Sequence, residues 1–325
     1  MPDRRRILAL LSAATTATIA PVSFGQGEPF PNRPVTLILP GAAGTGVDVL
    51  ARLAAQKLAD GLGHNVLVDN VVGASGVIGV QKAARARPDG HALLFAFNQV
   101  LTMNPVVVEN LPYDVERDLE PVALFAESPF LWLVNASLPI HSLADLIAHA
   151  KANPGKLAVG VSGFGSAAYL GMQLLSQMSG AEFLAVNYSG NIAPDLFANV
   201  VQLVLSPAAA GSGYIKTGKV RALAQTGARR APSLPDIPTV AETFPDYVIP
   251  AWYSFWAPKG TPAPVVERLN AAVASVARLP DIAERLTALA ATPIGGSAGE
   301  LRDLTRRETA LWRALARQRD LKPVQ

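Results

Sequence analysis

No cysteine occurs in the 325 residues, which excludes disulfides and thiolate chemistry. Histidine is scarce. The four are His64, His91, His141 and His149, and none falls in a metal-binding spacing such as HExxH. Surface or loop roles are the plainer reading of each, so no metal and no cofactor is expected. Charged residues make up 16% of the chain and aromatic ones 6%. Basic residues number 28 and acidic ones 25; residues 1–25 hold three Arg and one Asp, and without them the balance is 25 to 24. That near-neutral remainder implies no nucleic-acid partner. Past residue 25 no uninterrupted apolar run is long enough to cross a bilayer.

The first 25 residues have a character of their own. Arg4, Arg5 and Arg6 precede an uncharged apolar stretch over 7–20, and Ser23 and Gly25 are small residues placed as at a cleavage site. Asp3-Arg4-Arg5-Arg6-Ile7-Leu8 resembles a twin-arginine export signal. Residues 1–25 are therefore expected to be a signal peptide and the mature protein to be periplasmic. About 300 residues, half of them apolar, can bury a large core, and the length suggests two lobes.

The chain is organised around VTLILPGAAGTGVDVLARLAAQKL, residues 35–58. Val35, Leu37, Ile38 and Leu39 read as a buried strand. Val47, Leu50, Ala54 and Leu58 recur at helical spacing. Between them lie Gly41, Ala42, Ala43, Gly44, Thr45 and Gly46. A turn feeding a helix N-terminus presents unpaired N–H groups and the positive end of the helix dipole, a place to hold an anion. Val47 and Asp48 stand where a P-loop needs Lys and Ser/Thr, and the GxGxxG dinucleotide spacing is also missing. A small carboxylate fits better; a tight turn with no ligand is the bland alternative.

Further strands are predicted over 65–68, 92–97, 129–134, 157–161, 183–186, 202–205, 221–225 and 254–257, alternating with helices. Ser142 with Asp145, and Ser297 with Glu300, read as helix-capping pairs. Alternating β and α predicts a mostly parallel sheet, and the length predicts two of them.

Catalytic constellations are missing. Gly160-Val161-Ser162-Gly163-Phe164 resembles the GxSxG nucleophile elbow, with Phe164 in place of the last glycine. What recurs is strands ending in small or hydroxyl-bearing residues: 41–46, 73–76, Asn98-Gln99, 162–166, 188–191 and Ser206-Pro207. Open α/β sheets bind ligands at the carboxyl ends of their strands.

Six segments carry a family resemblance: PNRPVTLILPGAAGTGVDVLARLAAQKL (31–58), VLVDNVVGASGVIGVQKAARARPDGHALL (66–94), NPVVVENLPYDVERDLEPVAL (104–124), NPGKLAVGVSGFGS (153–166), IKTGKVRALAQTGARRAPSLPDIPTVAET (215–243) and APKGTPAPVVERLNAAV (257–273). In order and spacing the chain resembles the Bug family, the TctC-like substrate-binding proteins of tripartite tricarboxylate transporters. The resemblance implies an α/β chain with the type II periplasmic binding protein fold, two α/β lobes joined by two crossover strands. Lobe one would be 27–127 plus 253–325 and lobe two 128–252, with the crossovers at 129–134 and 252–257. The same resemblance places one carboxylate against Gly41, Ala42, Ala43, Gly44, Thr45, Gly46, Gly73, Ala74, Ser75 and Gly76. Ser162, Phe164, Ser166, Tyr188, Ser189 and Ser206 would take the other end, and Asn98 is a further candidate contact. Asp48 is expected to brace its loop.

Two departures bear on the ligand. Ser189 replaces a frequent lysine and Ser206 a frequent aspartate, so the far subsite is expected to be neutral and to favour a dicarboxylate over an amino acid. Phe164, Tyr188 and Trp252 could line a flat pocket for an aromatic acid. The implied partners are a small organic acid and the membrane components of such a transporter, for a protein expected to be a monomer and not an enzyme. A periplasmic sensor subunit is the alternative from another class, with a hydrolase third.

Overall fold

The apolar run at 35–39 forms β1 (Val35–Leu39), buried at every position but Thr36. The structure, a computed structural model, describes residues 30–321 and 323; the expected signal at 1–25 lies outside them. α1 (Gly46–Leu62) turns Leu50, Leu53, Ala54 and Leu58 inward, the period of a helix resting on a sheet. β2 (Val66–Asn70), α2 (Val77–Ala84) and β3 (Ala92–Phe97) complete a β–α–β–α–β run with β1 in the middle, parallel to both neighbours. A π-helical turn over Gln99–Met103 and the short helices α3 (Asn104–Val107) and α4 (Val115–Asp118) lead into β4 (Leu119–Ser128).

Only Pro129 separates β4 from β5 (Phe130–Asn135), yet the two strands belong to different sheets. The second sheet takes β5, β6 (Ala158–Val161), β7 (Leu184–Asn187), β8 (Leu203–Pro207) and β9 (Val220–Gln225), in the order β7-β6-β8-β5-β9. Its helices are α5 (Leu143–Ala152), α6 (Ala167–Ser179), α7 (Ala193–Phe197) and α8 (Ala208–Lys216). The chain then returns. β10 (Ala251–Pro258) inserts between β3 and β4, antiparallel to both. α9 (Ala263–Ala277), α10 (Pro280–Ala288), the edge strand β11 (Thr292–Gly296) and α11 (Ala298–Gln318) follow, and the first sheet reads β11-β4-β10-β3-β1-β2.

Two expectations are corrected. The sheets are mixed rather than mostly parallel, with four parallel and five antiparallel pairings. The antiparallel ones arise because β4 leaves the first sheet and β10 re-enters it. The second crossing also lies ahead of Ala251 and not within 252–257, since Trp252 already pairs with Glu127 of β4. The two crossings run side by side. Thr226 ties them: it exchanges hydrogen bonds with Phe130 (Phe130 N to Thr226 Oγ1, 2.9 Å; Thr226 N to Phe130 O, 3.0 Å) and accepts from Ile249 N at 3.0 Å.

Each sheet has its own core. Leu37, Leu58, Phe95, Phe125 and Phe255 pack in the first, and Trp132, Leu170, Leu175 and Leu203 in the second. α11 does not stay with one. Its capping box (Ser297 Oγ accepting from Glu300 N at 3.1 Å, Glu300 Oε2 accepting from Ser297 N at 2.7 Å) starts it beside the first sheet, where Leu301 packs with Trp252 and Trp256. Farther along, Trp312 and Leu315 join the core that holds Trp132 and Leu170. Between these ends Glu308 is buried. It accepts from Asn98 Nδ2 (3.2 Å), Trp312 Nε1 (3.1 Å) and Trp252 Nε1. Among the described residues no helix is long and apolar enough to cross a membrane.

Candidate ligand-binding site

The turn between β1 and α1 builds one wall. Thr45 is the N-cap of α1, extended, but its side chain does not cap the helix; the hydroxyl donates to Ala42 O at 2.7 Å. The first-turn N–H groups of α1 are thus left without a capping side chain. Thr45, Gly46 and Val47 line a cavity of about 550 Å³. The facing wall comes from the second sheet. Ser166 caps α6, and Ala167 and Ala168 of its first turn line the cavity. α8 starts after Pro207 with no capping side chain, and Pro207, Ala209 and Ala210 line it as well. The positive ends of three helices therefore meet at one cavity.

None of the lining residues is charged. Phe97, Phe130, Leu50, Leu205 and Leu289 make much of the surface apolar. Three polar side chains in the wall, Gln99, Ser162 and Tyr253, make no hydrogen bond with the described residues. Burial pushes the Tyr253 hydroxyl up to about 12, so it stays a neutral donor at physiological pH. Neutral donors and helix ends can hold an anion without a counter-ion. No histidine, carboxylate or lysine stands in the wall to activate Ser162. Among the described residues no cluster of ligating side chains suits a metal ion.

A polar brace holds the first wall. Asp48, buried at the start of α1, accepts from Gly44 N (2.9 Å), Arg52 Nε (2.9 Å) and Asn70 Nδ2 (2.9 Å). Asn70 Nδ2 also donates to Gly41 O at 3.1 Å, which fixes the far end of the turn. Burial alone would raise the Asp48 carboxyl. The hydrogen bonds from Arg52, Gly44 and Asn70, with the Arg52 charge, outweigh it and hold the pKa at about 2. A depressed pKa contributes stability that is complete above the unfolded carboxylate range and is lost as pH falls through the folded value. We expect this contribution to disappear between about pH 4 and pH 2 in wild type. Asp48→Ala should destabilise by about 1–2 kcal/mol at neutral pH, the figure being discounted because Arg52 is half-exposed. Urea denaturation across that pH range checks it; an Asp48→Ala curve parallel to wild type down to pH 2 would remove the brace.

Of the residues expected from the sequence, Thr45, Gly46, Asn98, Ser162 and Ser166 line the cavity. Gly41, Ala42, Ala43 and Gly44 belong to the same β1–α1 turn but do not line the cavity. Residues 73–76 lie outside it: Gly73, Ala74, Ser75 and Gly76 all have positive φ, and Gly76 is buried against Val100 and Pro40. Asn98 reaches the cavity edge, but both amide hydrogens are engaged, by Pro250 O and Glu308 Oε1. Phe164 is exposed and packs edge-on against Tyr169. Tyr188 points away, donating to Asp195 at 2.8 Å, and Ser189 is exposed on the next loop. Trp252 is buried against α11, outside the wall. Ser206 falls between Leu205 and Pro207, so the strand's alternation takes it out of the main cavity. The sequence marks Gln99 as part of a strand end but gives no sign of Tyr253 or Phe130. Those two flank the crossings and carry no motif.

Two α/β lobes around an uncharged cleft, joined by two adjacent crossings, define a periplasmic solute-binding protein fold. The profile described as "Tripartite tricarboxylate transporter family receptor" matches residues 50–321, and the chain belongs to this TctC family. Protein BugT of Bordetella pertussis is 33% identical over 96% of this chain and 97% of its own length. An R. palustris protein solved with adipate superposes with a TM-score of 0.80 at 35% identity, covering 91% of this chain and all of that one. MatC from Rhodopseudomonas palustris with bound malate gives 0.75 at 31% identity, covering 88% and 99%. The periplasmic binding protein BugD superposes with a TM-score of 0.76 at 30% identity, covering 91% of this chain and all of that one, and with the family match this makes the chain a solute-binding protein rather than an enzyme.

Proposed function

We propose that this protein captures a small organic acid, a dicarboxylate by preference, in the cleft between its lobes. It would act in the periplasm and deliver the acid to the membrane subunits of a tripartite tricarboxylate transporter. One observation carries the reading: the N-termini of α1, α6 and α8 converge on a cavity with no charged residue in its wall. Helix ends on opposite lobes give each end of a diacid an electrostatic partner. An ammonium group would be desolvated there without a counter-ion, which disfavours amino acids. The adipate and malate held by two relatives agree with a carboxylate ligand.

Each lobe supplies only part of the ligand's contacts, so the closed arrangement gains the differential affinity that draws the lobes together. Thermal denaturation with a panel of mono- and dicarboxylic acids tests the binding. A true ligand at 100-fold over its Kd should add about 2.7 kcal/mol of stability. Small-angle scattering with that ligand should show a smaller radius of gyration. A panel in which aspartate stabilises more than succinate would defeat the dicarboxylate preference.

A further inference from the structure

The cleft does not end at the main cavity. Ser162, Ala168, Leu205, Pro207 and Ala210 are shared with a second cavity of about 290 Å³ on the lobe-two side. This compartment opens past the strand ends of β6 and β8. Ile192, Leu196, Val204 and Tyr214 give it an apolar body. Besides the Ser162 and Tyr214 hydroxyls, its polar groups are the Ser206 hydroxyl, which makes only a long 3.4 Å bond to Pro207 O, and Asn191, whose Oδ1 accepts from Ala193 N at 3.0 Å while its amide N–H groups have no partner among the described residues. No charged residue lines it.

A four-carbon diacid held at the α1 end would leave this compartment and the apolar wall beside it in contact with water. We propose that the far compartment is a subsite for the body of a longer acid, one with an apolar stretch of about six carbons or more. The inference rests on the carboxylate reading of the main cavity. The chemistry is an apolar spacer bearing a carboxylate at the α1 end, and a flexible chain or a flat ring could supply it. Each methylene that leaves water for an apolar wall tightens binding by about fourfold. The neutral Asn191 amide and Ser206 hydroxyl can donate to a second carboxylate at the far end.

Calorimetry on the mature wild-type protein with succinate, suberate and terephthalate is the test. Suberate, with four more methylenes, should bind roughly two hundredfold tighter than succinate if the chain enters the compartment. A comparable gain for terephthalate instead assigns the site to a ring. Ala210→Phe places a large side chain on the shared wall, at an exposed helix position where folding is not at stake. It should cut the preference for the longer acid at least tenfold. Equal or tighter binding of succinate overturns the subsite and leaves the carboxylate reading standing. Equal binding of suberate and its dimethyl ester overturns the carboxylate reading itself. An unchanged preference in Ala210→Phe places the longer acid elsewhere and also overturns the proposal.

Discussion

Glu308→Ala should lose about 3–5 kcal/mol of unfolding free energy. The variant strips the partner from Trp252 Nε1–H, Trp312 Nε1–H and one N–H of Asn98, all of them buried. An orphaned buried donor costs about 1–3 kcal/mol, and the space left by the side chain adds to that. Glu308→Gln should cost less, because it keeps the volume and one carbonyl acceptor. Burial pushes the Glu308 carboxyl up, against the opposing hydrogen bonds from Trp252, Trp312, Asn98 and Thr102. The sign follows: a raised folded pKa means the protonated form is favoured in the fold. Its contribution is complete below the ordinary glutamate range and is lost as pH rises through the folded value. Urea titrations should therefore show a pH-dependent component above that range in wild type and none in Glu308→Gln. A Glu308→Ala loss below 1 kcal/mol would mean the donors find other partners.

Gly46→Val should abolish most ligand affinity, by a hundredfold or more, in a protein that still folds. Gly46 lines the cavity, its backbone has no positive φ, and a Cβ there meets nothing within 4 Å. The new side chain occupies space beside the N–H groups of α1, where an anion would sit. Gly76→Val, at a residue outside the cavity lining, should behave in the opposite way. Its Cβ would approach Val100 Cγ1 to 2.6 Å and Pro40 to 3.3 Å at a φ of +89°. Clash and backbone strain together make misfolding the expected outcome. Circular dichroism and calorimetry on the pair separate the two effects. Wild-type affinity in Gly46→Val would move the anion away from α1.

How far this was readable in the sequence depends on what kind of signal each part carries. The β1–turn–α1 unit was legible because a buried strand and an amphipathic helix leave opposite periodicities on either side of a glycine cluster. β4 was not, since Pro121 interrupts its apolar run; the structure absorbs that proline near a register shift against Phe255 and Trp256. β11 was hidden by Pro293, Gly295 and Gly296. The family resemblance implied a second lobe, but the loops at 188–189 and Ser206 required knowing which face of a strand looks into the cleft. Helix ends could be located from Ser166 and Pro207; that three of them converge is a property of the sheets' arrangement, which no local pattern encodes.

β10 has a consequence for the order in which the molecule can assemble. It sits between β3 and β4, so the first sheet remains in two pieces until the chain has passed through all of the second. The second sheet draws on one uninterrupted stretch from β5 to β9 and can close by itself. Closing a long loop before its contacts form is slow. The second sheet is thus positioned to form first and to hold the ends of β4 and β10 next to each other, as a template for the first, while its core is completed only when Trp312 and Leu315 of α11 arrive. Until β10 arrives, β3 and β4 present open edges to solvent, and this interval is when the nascent protein is most exposed to aggregation.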